Sequence, residues 1–185
     1  MTGKPDEQRT VKVSKYLSKH LRHRPERIGL TLDAHGWVAV DDLIRATAAH
    51  NFPITRAELD HVVAVNDKQR FTVEGERIRA SQGHSVTVDL DLPPVEPPPY
   101  LYHGTAPHAL AAIRAEGLRR MNRHHVHLSA DRETATRVGA RRGRPVVLSV
   151  DAGTMHTDGH TFHVSANGVW LTDAVPQRYL RFPTA

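Results

Sequence analysis

A run of prolines near the middle of the chain constrains the fold more than any other feature. Five of the seven residues from Pro93 to Pro99 are proline. Proline fixes φ and has no backbone N–H, so this segment cannot lie in a helix interior or a central strand, and it favours a stiff, extended connector. In a chain of 185 residues, such a connector predicts two domains of roughly 90 residues each.

The first half of the chain shows helical and strand patterns in a recognisable order. Apolar residues recur at helical spacing over residues 10–22, short strands are predicted at 30–32 and 37–40, and a helix follows. Thr55 and Glu58 then form a capping box, and residues 70–73 and 77–80 alternate as a hairpin. Helix, strand, helix, helix and hairpin is the order of a winged-helix domain, a class that usually recognises nucleic acid or protein. We therefore predict a winged-helix lobe over residues 8–91, followed by a linker at 92–99.

Directly after the linker, Tyr100 to Tyr102 predict a strand that ends in a corner at His103-Gly104-Thr105. Thr105 can cap a helix that begins near Pro107. A strand, a glycine corner and a helix N-terminus are a means of bringing backbone close to a phosphate or a dinucleotide. On these residues alone, a capped turn with a packed histidine is an equal alternative.

The rest of the second half alternates short strands with helices. Residues 125–128 and 145–150 predict strands, and Ser129 is the expected cap of a helix between them. Asn167-Gly168 is a turn signal between the strand patterns at 162–164 and 169–171. We predict a compact domain over residues 100–185, and an α+β fold for the whole chain.

Arginine is concentrated in four clusters on a chain with a formal net charge of +5. The guanidinium fork suits phosphate, so these clusters predict an anionic partner such as nucleic acid or a nucleotide. A compositional preference for arginine over lysine on solvated surfaces is the alternative for some of them. The clusters are Arg22/Arg24/Arg27, Arg70/Arg77/Arg79, Arg119/Arg120/Arg123 and Arg137/Arg141/Arg142/Arg144.

Several classes of protein are disfavoured. The chain has no cysteine, so disulfides and thiolate metal sites are excluded, and a cytoplasmic location is the expectation. No apolar stretch approaches the roughly 20 residues of a membrane span. His124, His125 and His127 lack an acidic partner at useful spacing, so we expect no metal site there. Neither a P-loop nor a G-x-G-x-x-G motif is present.

Short motifs spread through both halves form a distinctive set. They are Ser14 to Ser18 with Leu21-Arg22-His23, Gly36-Trp37-Val38, Asn66 to Phe71, Ile78 to Ser85, Leu101 to Thr105, His127-Leu128-Ser129, Val138 to Leu148, and Asn167 to Leu171. In this order, between about residues 11 and 180, they resemble the RNA 2′-phosphotransferase family, the KptA-type enzymes related to the tRNA 2′-phosphotransferase of tRNA splicing.

The resemblance implies a winged-helix RNA lobe joined to an ADP-ribosyltransferase-like lobe that binds NAD⁺. Such enzymes remove an internal 2′-phosphate from RNA. The phosphate first attacks the nicotinamide-bearing ribose carbon, expelling nicotinamide and leaving ADP-ribosylated RNA. The 2″-hydroxyl then attacks phosphorus, which frees 2′-hydroxyl RNA and ADP-ribose 1″,2″-cyclic phosphate.

Residue by residue, the resemblance also implies roles. The residues that would hold NAD⁺ are His103, Gly104, Thr105, His127, Ser129, Asn167 and Gly168. The residues that would handle phosphate are Arg22, His23, Arg70 and Arg141, with Arg142 as an alternative to Arg141 and His23 as the proton donor to the departing RNA oxygen. We expect a monomer with an active site to which the N-terminal lobe contributes.

Two alternatives remain open on the sequence. An ADP-ribosyltransferase that caps terminal phosphates of RNA or DNA would use the same NAD⁺ residues and the same first step. A winged-helix regulator that senses NAD⁺ without turnover would bind duplex DNA and release no nicotinamide.

Overall fold

The computed structural model describes residues 6–184. The chain divides into two compact units, one ending at Asp91 and the other beginning at Leu92. Each has its own hydrophobic core. Within the described range, six α-helices and small antiparallel sheets make up a mixed α/β structure. None of the described helices is long and apolar enough to cross a membrane.

The first unit contains three helices and a three-stranded antiparallel sheet of order β1-β3-β2. The elements are α1 (Glu7–Arg22), β1 (Val38–Ala39), α2 (Val40–Ala49), α3 (Arg56–Val65), β2 (Phe71–Glu74) and β3 (Arg77–Ala80). The predicted helices and hairpin are present in the predicted order. Assignment of this unit to the winged-helix class stays a prediction.

Local sequence explains the helices of the first unit. Thr55 and Glu58 form both hydrogen bonds of the predicted capping box at the start of α3. In α1, Val13, Leu17 and Leu21 recur at helical spacing and are fully buried in the core. The helix then ends at its C-cap His23, just before Arg24-Pro25.

The strand predicted at residues 30–32 is wrong. A 3-10 helix at Pro25–Ile28 precedes this segment, and residues 30–32 have no strand pairing. The chain instead runs into a turn in which the Asp33 carboxylate accepts hydrogen bonds from the N–H groups of His35 and Trp37. Leu30 is apolar and is buried in the core. Burial alone does not make a strand, because no neighbouring strand pairs with this segment.

The second unit contains three helices and three small sheets. Its elements are β4 (Leu101–Thr105), α4 (Leu110–Glu116), β5 (Leu118–Arg119), β6 (Val126–Leu128), α5 (Arg132–Gly139), β7 (Val146–Val150), α6 (Ala152–Thr157), β8 (His163–Val164), β9 (Trp170–Thr172), β10 (Ala174–Val175) and β11 (Leu180–Arg181). The sheets have the orders β11-β7-β4, β6-β9-β8 and β10-β5. An isolated bridge between Tyr102 and Ser129 connects β4 to the end of β6.

His103-Gly104-Thr105 is not a corner, because β4 continues to Thr105 and pairs with β7 throughout. The reason lies in α5, which packs on this strand backbone to backbone. A Cβ added at Gly104 would lie 1.7 Å from the carbonyl oxygen of Ala135, and one added at Gly139 would lie 2.9 Å from the carbonyl oxygen of Thr105. Glycine is therefore needed at position 104 for packing within the protein itself.

Two predicted helix caps are also wrong. Ala106 is the N-cap residue of a 3-10 turn at Pro107–Ala109, and no side chain caps this turn, so Thr105 is not a cap. Helix α5 is capped by Asp131, whose carboxylate accepts from Thr134 N–H at 2.7 Å. Ser129 instead exchanges two backbone hydrogen bonds with Tyr102, of 2.8 and 2.9 Å. Thr105 and Ser129 thus both take part in strand pairing, although their local propensity would place them at the start of a helix.

Candidate active site

In the first unit, Arg22 and His23 lie at the C-terminus of α1, where they are held by residues that follow the hairpin. The N–H groups of Ser85 and Val86 donate to the carbonyl oxygen of Arg22, at 2.9 and 3.4 Å. The His23 Nδ1 atom lies 2.9 Å from the hydroxyl oxygen of Ser85. Gly83, with φ +85°, brings its backbone against the half-buried Arg22 guanidinium. The segment 81–86 therefore fixes the backbone of Arg22 and the ring of His23.

Arg70, half-buried just before β2, is held by the same segment. Its carbonyl oxygen accepts from Ser81 N–H at 2.8 Å, and its own N–H reaches the Asn66 side-chain oxygen at 3.4 Å. Gln69, immediately before it, has φ +41°, which an L-residue rarely adopts. The Ser81 hydroxyl donates to the Gln69 carbonyl at 3.0 Å and holds this backbone. The structure thus connects Arg22, His23 and Arg70 to one segment.

In the second unit, His103 occupies the middle of β4. Side chains alternate along a strand, so His103 shares its face with Leu101, which is fully buried in the core, while Gly104 faces α5. The His103 Nδ1 atom lies 3.1 Å from the His127 carbonyl oxygen, which can only accept, so Nδ1 carries the proton and Nε2 is an acceptor. Burial lowers the pKa of His103, and the charges of Arg142 and Arg123 lower it further against that hydrogen bond.

His127, in β6, receives a different partner. Arg123 places its Nη1 atom 3.0 Å from the His127 Nδ1. Since a guanidinium only donates hydrogen bonds, Nδ1 is the acceptor and the proton of the neutral ring lies on Nε2. His103 and His127 are therefore opposite tautomers, one with an accepting Nε2 and the other with a donating Nε2.

Arg123, Arg141 and Arg142 form a cationic cluster near these histidines. Arg141 and Arg142 lie in a 3-10 turn at Ala140–Arg142, directly after α5. Partial burial lowers the pKa of Arg123, and the charges of Arg142 and Arg141 lower it further. Among the residues that the structure describes, no carboxylate forms an ion pair with Arg123, Arg141 or Arg142. Three neighbouring guanidiniums without such a counter-charge can bind an anion such as phosphate.

The other predicted NAD⁺ residues gather at one end of the β6–β9 pair. Ser129 follows β6 directly, and the turn that contains Asn167 and Gly168 precedes β9, so the antiparallel pairing puts them at the same end. Gly168, with φ +78°, has no atom within 4 Å of an added Cβ. The hydroxyl of the buried Ser165 contacts the Asn167 side-chain oxygen and accepts from Val169 N–H. Turn geometry alone explains glycine at 168.

The histidines outside this arrangement do not form a metal centre. His125 contacts His163 edge-on, with ring centroids 6.1 Å apart. Within residues 6–184 there is no group of three or more His, Asp or Glu side chains that could hold a metal ion.

The described residues form two sets of candidate site residues, one in each unit. The first unit contains two arginines and a histidine held by one segment, and the second contains a histidine pair of opposite tautomers beside a cationic cluster. Such residues can bind phosphorylated, hydroxyl-bearing ligands. The chain belongs to the RNA 2'-phosphotransferase, Tpt1 / KptA family, whose model matches residues 8–174.

Curated relatives extend along nearly the whole chain. A probable RNA 2'-phosphotransferase of Streptomyces coelicolor is 77% identical over 177 residues, which is 96% of this chain and 97% of that protein. A protein of the same name from Streptomyces griseus is 72% identical over 184 residues, covering 95% of this chain and 97% of its own. One from Trichormus variabilis is 58% identical over 177 residues, at 95% and 97% coverage.

Sequence reasoning missed the residues that hold the candidate side chains. Ser85 lies in a motif that the family resemblance already marked, but its role at His23 depends on a pairing over 62 positions. The sequence pattern places Arg123 only in a basic cluster with Arg119 and Arg120. Its distance of four residues from His127 offered a weak signal, because a strand and a bend, rather than a helix, separate the two.

Proposed function

We propose that this protein removes a 2′-phosphate from RNA and consumes NAD⁺ in doing so. The observation that carries the proposal is the family match, which spans residues 8–174 and so includes the candidate residues of both units. The finer assignment, a winged-helix RNA lobe and an ADP-ribosyltransferase-like NAD⁺ lobe, is part of the same proposal.

The second unit supports a dinucleotide ligand by its chemistry. The His103 Nε2 acceptor and the His127 Nε2–H donor can together bind hydroxyl groups, which both donate and accept. Arg123, Arg141 and Arg142 supply positive charge for phosphates. NAD⁺ contains both features, and when bound it supplies an electrophilic ribose carbon with nicotinamide as the leaving group.

The residues of this chain then act on the phosphate. A 2′-phosphate monoester carries about −1.5 to −2 charge near pH 7, so it needs no base to become a nucleophile. Arg22, Arg70 and one of Arg141 and Arg142 would bind its oxygens and stabilise charge at phosphorus in the second step.

His23 is the proposed proton donor to the departing RNA 2′-oxygen. In the second step the ribose 2″-hydroxyl forms a bond to phosphorus and loses a proton, while the RNA 2′-oxygen leaves and gains one. His23 is exposed at the end of α1, and its Nδ1 atom lies 2.9 Å from the Ser85 hydroxyl oxygen, which holds the ring in place. Its Nε2 is the atom that we propose exchanges the proton with substrate.

Single-turnover reactions of the full chain with end-labelled, 2′-phosphorylated RNA and NAD⁺ test the proposal. We expect nicotinamide, 2′-hydroxyl RNA and a cyclic phosphate product. His23→Ala or Arg22→Ala should slow the second step by about 10²–10³-fold, so that ADP-ribosylated RNA accumulates. His103→Ala should give little intermediate, because the first step fails. Arg45→Ala, an exposed change in α2, is the matched control.

The same reaction separates the alternatives. ADP-ribose retained on a terminal phosphate, with no action on the 2′-phosphate, would replace the proposal with a capping activity. Tight duplex DNA binding without nicotinamide release would replace it with a regulator. Equal slowing of both steps in His23→Ala, Arg141→Ala and Arg142→Ala would contradict the assigned roles.

A further inference from the structure

Arg123 contacts one of the two candidate histidines and lies near the charges of Arg141 and Arg142. Its Nη1 atom is 3.0 Å from His127 Nδ1. The two residues are four positions apart, with Arg123 before β6 and His127 within it. A side chain that reaches from the bend before a strand to a ring within that strand can hold the ring in one orientation.

In this contact Arg123 can only be the donor and His127 Nδ1 can only be the acceptor. Arginine stays protonated and has five donors and no acceptor, so it cannot share its hydrogen bond with a protonated Nδ1. While the contact holds, Nδ1 of His127 carries a lone pair and Nε2 carries the proton. The backbone of His127 has the complementary effect on His103, because its carbonyl oxygen accepts from Nδ1 and leaves Nε2 as the acceptor.

We propose that Arg123 is a positioning residue, which fixes His127 as its Nε2–H tautomer so that His127 donates and His103 accepts at one sugar-binding site. The ligand class is a ribose with an adjoining phosphate. A donor and an acceptor together select hydroxyls, and the positive charge of Arg123, Arg141 and Arg142 selects the phosphate. That this ribose belongs to NAD⁺ rests on the proposed function, whereas the tautomer does not.

The role differs from simple attraction of an anion. Without Arg123, a neutral His127 could carry its proton on Nδ1, in which case two acceptors would face the ligand. A hydroxyl group has one proton and can donate only one hydrogen bond. If both histidines were acceptors, the hydroxyl could therefore bond to only one of them. A lysine at 123 retains a side chain that only donates hydrogen bonds, and a leucine retains neither a donor nor a charge.

Long-range ¹⁵N–¹H NMR spectra of the histidine side chains in the full chain test the tautomer directly. The signal of His127 is identified by its loss in His127→Gln. We expect ¹⁵N shifts of a protonated Nε2 and an unprotonated Nδ1 in the wild type. Arg123→Leu should shift the ring toward the other tautomer, Arg123→Lys should retain the wild-type pattern because lysine only donates, and Arg120→Leu, on the same exposed segment, should leave it unchanged.

Binding of ADP-ribose then tests the consequence. We expect Arg123→Leu to weaken binding by about tenfold or more, which corresponds to about 1.4 kcal/mol. Arg123→Lys should weaken it less, and Arg120→Leu should have no effect. A wild-type Nδ1–H tautomer, or an Arg123→Leu spectrum identical to the wild type, overturns the inference. The wild-type spectrum decides this even where a variant does not fold. If the tautomer is as expected and no nicotinamide is released from NAD⁺, the proposed function fails while the role of Arg123 stands.

Discussion

In the unit that ends at Asp91, arginines on the surface meet carboxylates of the same unit, whereas in the unit that begins at Leu92 the arginines beside the candidate histidines do not. Arg9, Arg45, Arg56 and Arg77 each form at least one ion pair. Exposed pairs of this kind contribute little to stability, but they compensate charge. The arginines beside the candidate histidines therefore keep more uncompensated positive charge for an anion than these paired arginines do.

The units also differ in how closely their backbones pack. In the first, α1 presents Leu17 and Leu21 to the core, so side chains separate the backbones. In the second, β4 and α5 meet through Gly104 and Gly139 with no side chain between them. This close approach is what holds His103 and the turn that contains Arg141 and Arg142 on neighbouring elements.

The largest effect should come from breaking that close approach. Gly104→Ala places a methyl group 1.7 Å from the Ala135 carbonyl oxygen, so we expect a loss of about 3 kcal/mol or more in the free energy of unfolding. Gly29→Ala, in the first unit, has φ +68° and no atom within 4 Å of the added Cβ, and should cost only about 1–2 kcal/mol of backbone strain. Urea unfolding compares the two. Equal losses would show that β4 and α5 can separate without penalty.

The second prediction concerns which unit holds the dinucleotide. His103→Ala removes the Nε2 acceptor and should weaken NAD⁺ binding by about tenfold or more, because a hydrogen bond to a partly buried group is lost. Arg22→Ala, in the other unit, should leave NAD⁺ affinity within about twofold. Isothermal titration calorimetry of both full-length variants measures this difference. Weaker binding in Arg22→Ala than in His103→Ala would reverse the assignment of the ligand to the second unit.

The third prediction follows from the lowered pKa of His103. The unfolded chain protonates this histidine near pH 6.5, while the folded protein keeps it neutral to lower pH. The unfolded state therefore binds more protons below about pH 6.5, and the free energy of unfolding falls as the pH drops from there through the lower folded pKa. His103→Asn should reduce the fall between pH 7.5 and 5.5.

Substitution of an exposed histidine supplies the control for this pH dependence. His108→Gln, in the same unit, should leave the fall as it is in the wild type. Unfolding curves at several pH values measure both variants. An unchanged pH dependence in His103→Asn would mean that other groups, such as the buried His20 of the first unit, whose pKa burial also lowers, account for the whole effect.

The smallest effect is expected at the β2–β3 hairpin of the first unit. The Arg77 guanidinium lies 4.3 Å from the centre of the Trp37 ring and is 51% exposed. Arg77→Ala should weaken RNA binding severalfold and lower the salt slope by about one, without changing the identity of the products. Arg45→Ala, also exposed and ion-paired, should have no effect. A changed product mixture in Arg77→Ala would give the β2–β3 hairpin a part in the chemistry.

Much of this protein could be predicted from its residues alone because the relevant interactions are local. The capping box at Thr55, the hairpin at 71–80 and the Asn167-Gly168 turn each depend on residues within about ten positions, so their patterns predicted them. The linker prolines likewise marked the point near which the chain divides, since proline acts on its own backbone. Motif order along the chain was sufficient to indicate the family.

Only the tertiary structure decided what distant segments do to one another. It assigned Gly104 to the contact with α5 and Ser129 to strand pairing, where propensity had suggested a corner and a cap. It brought Ser85 against His23, Arg123 against Nδ1 of His127, and the His127 carbonyl oxygen against Nδ1 of His103. These outcomes depend on which donor meets which acceptor across the fold, and a linear pattern contains no such distances.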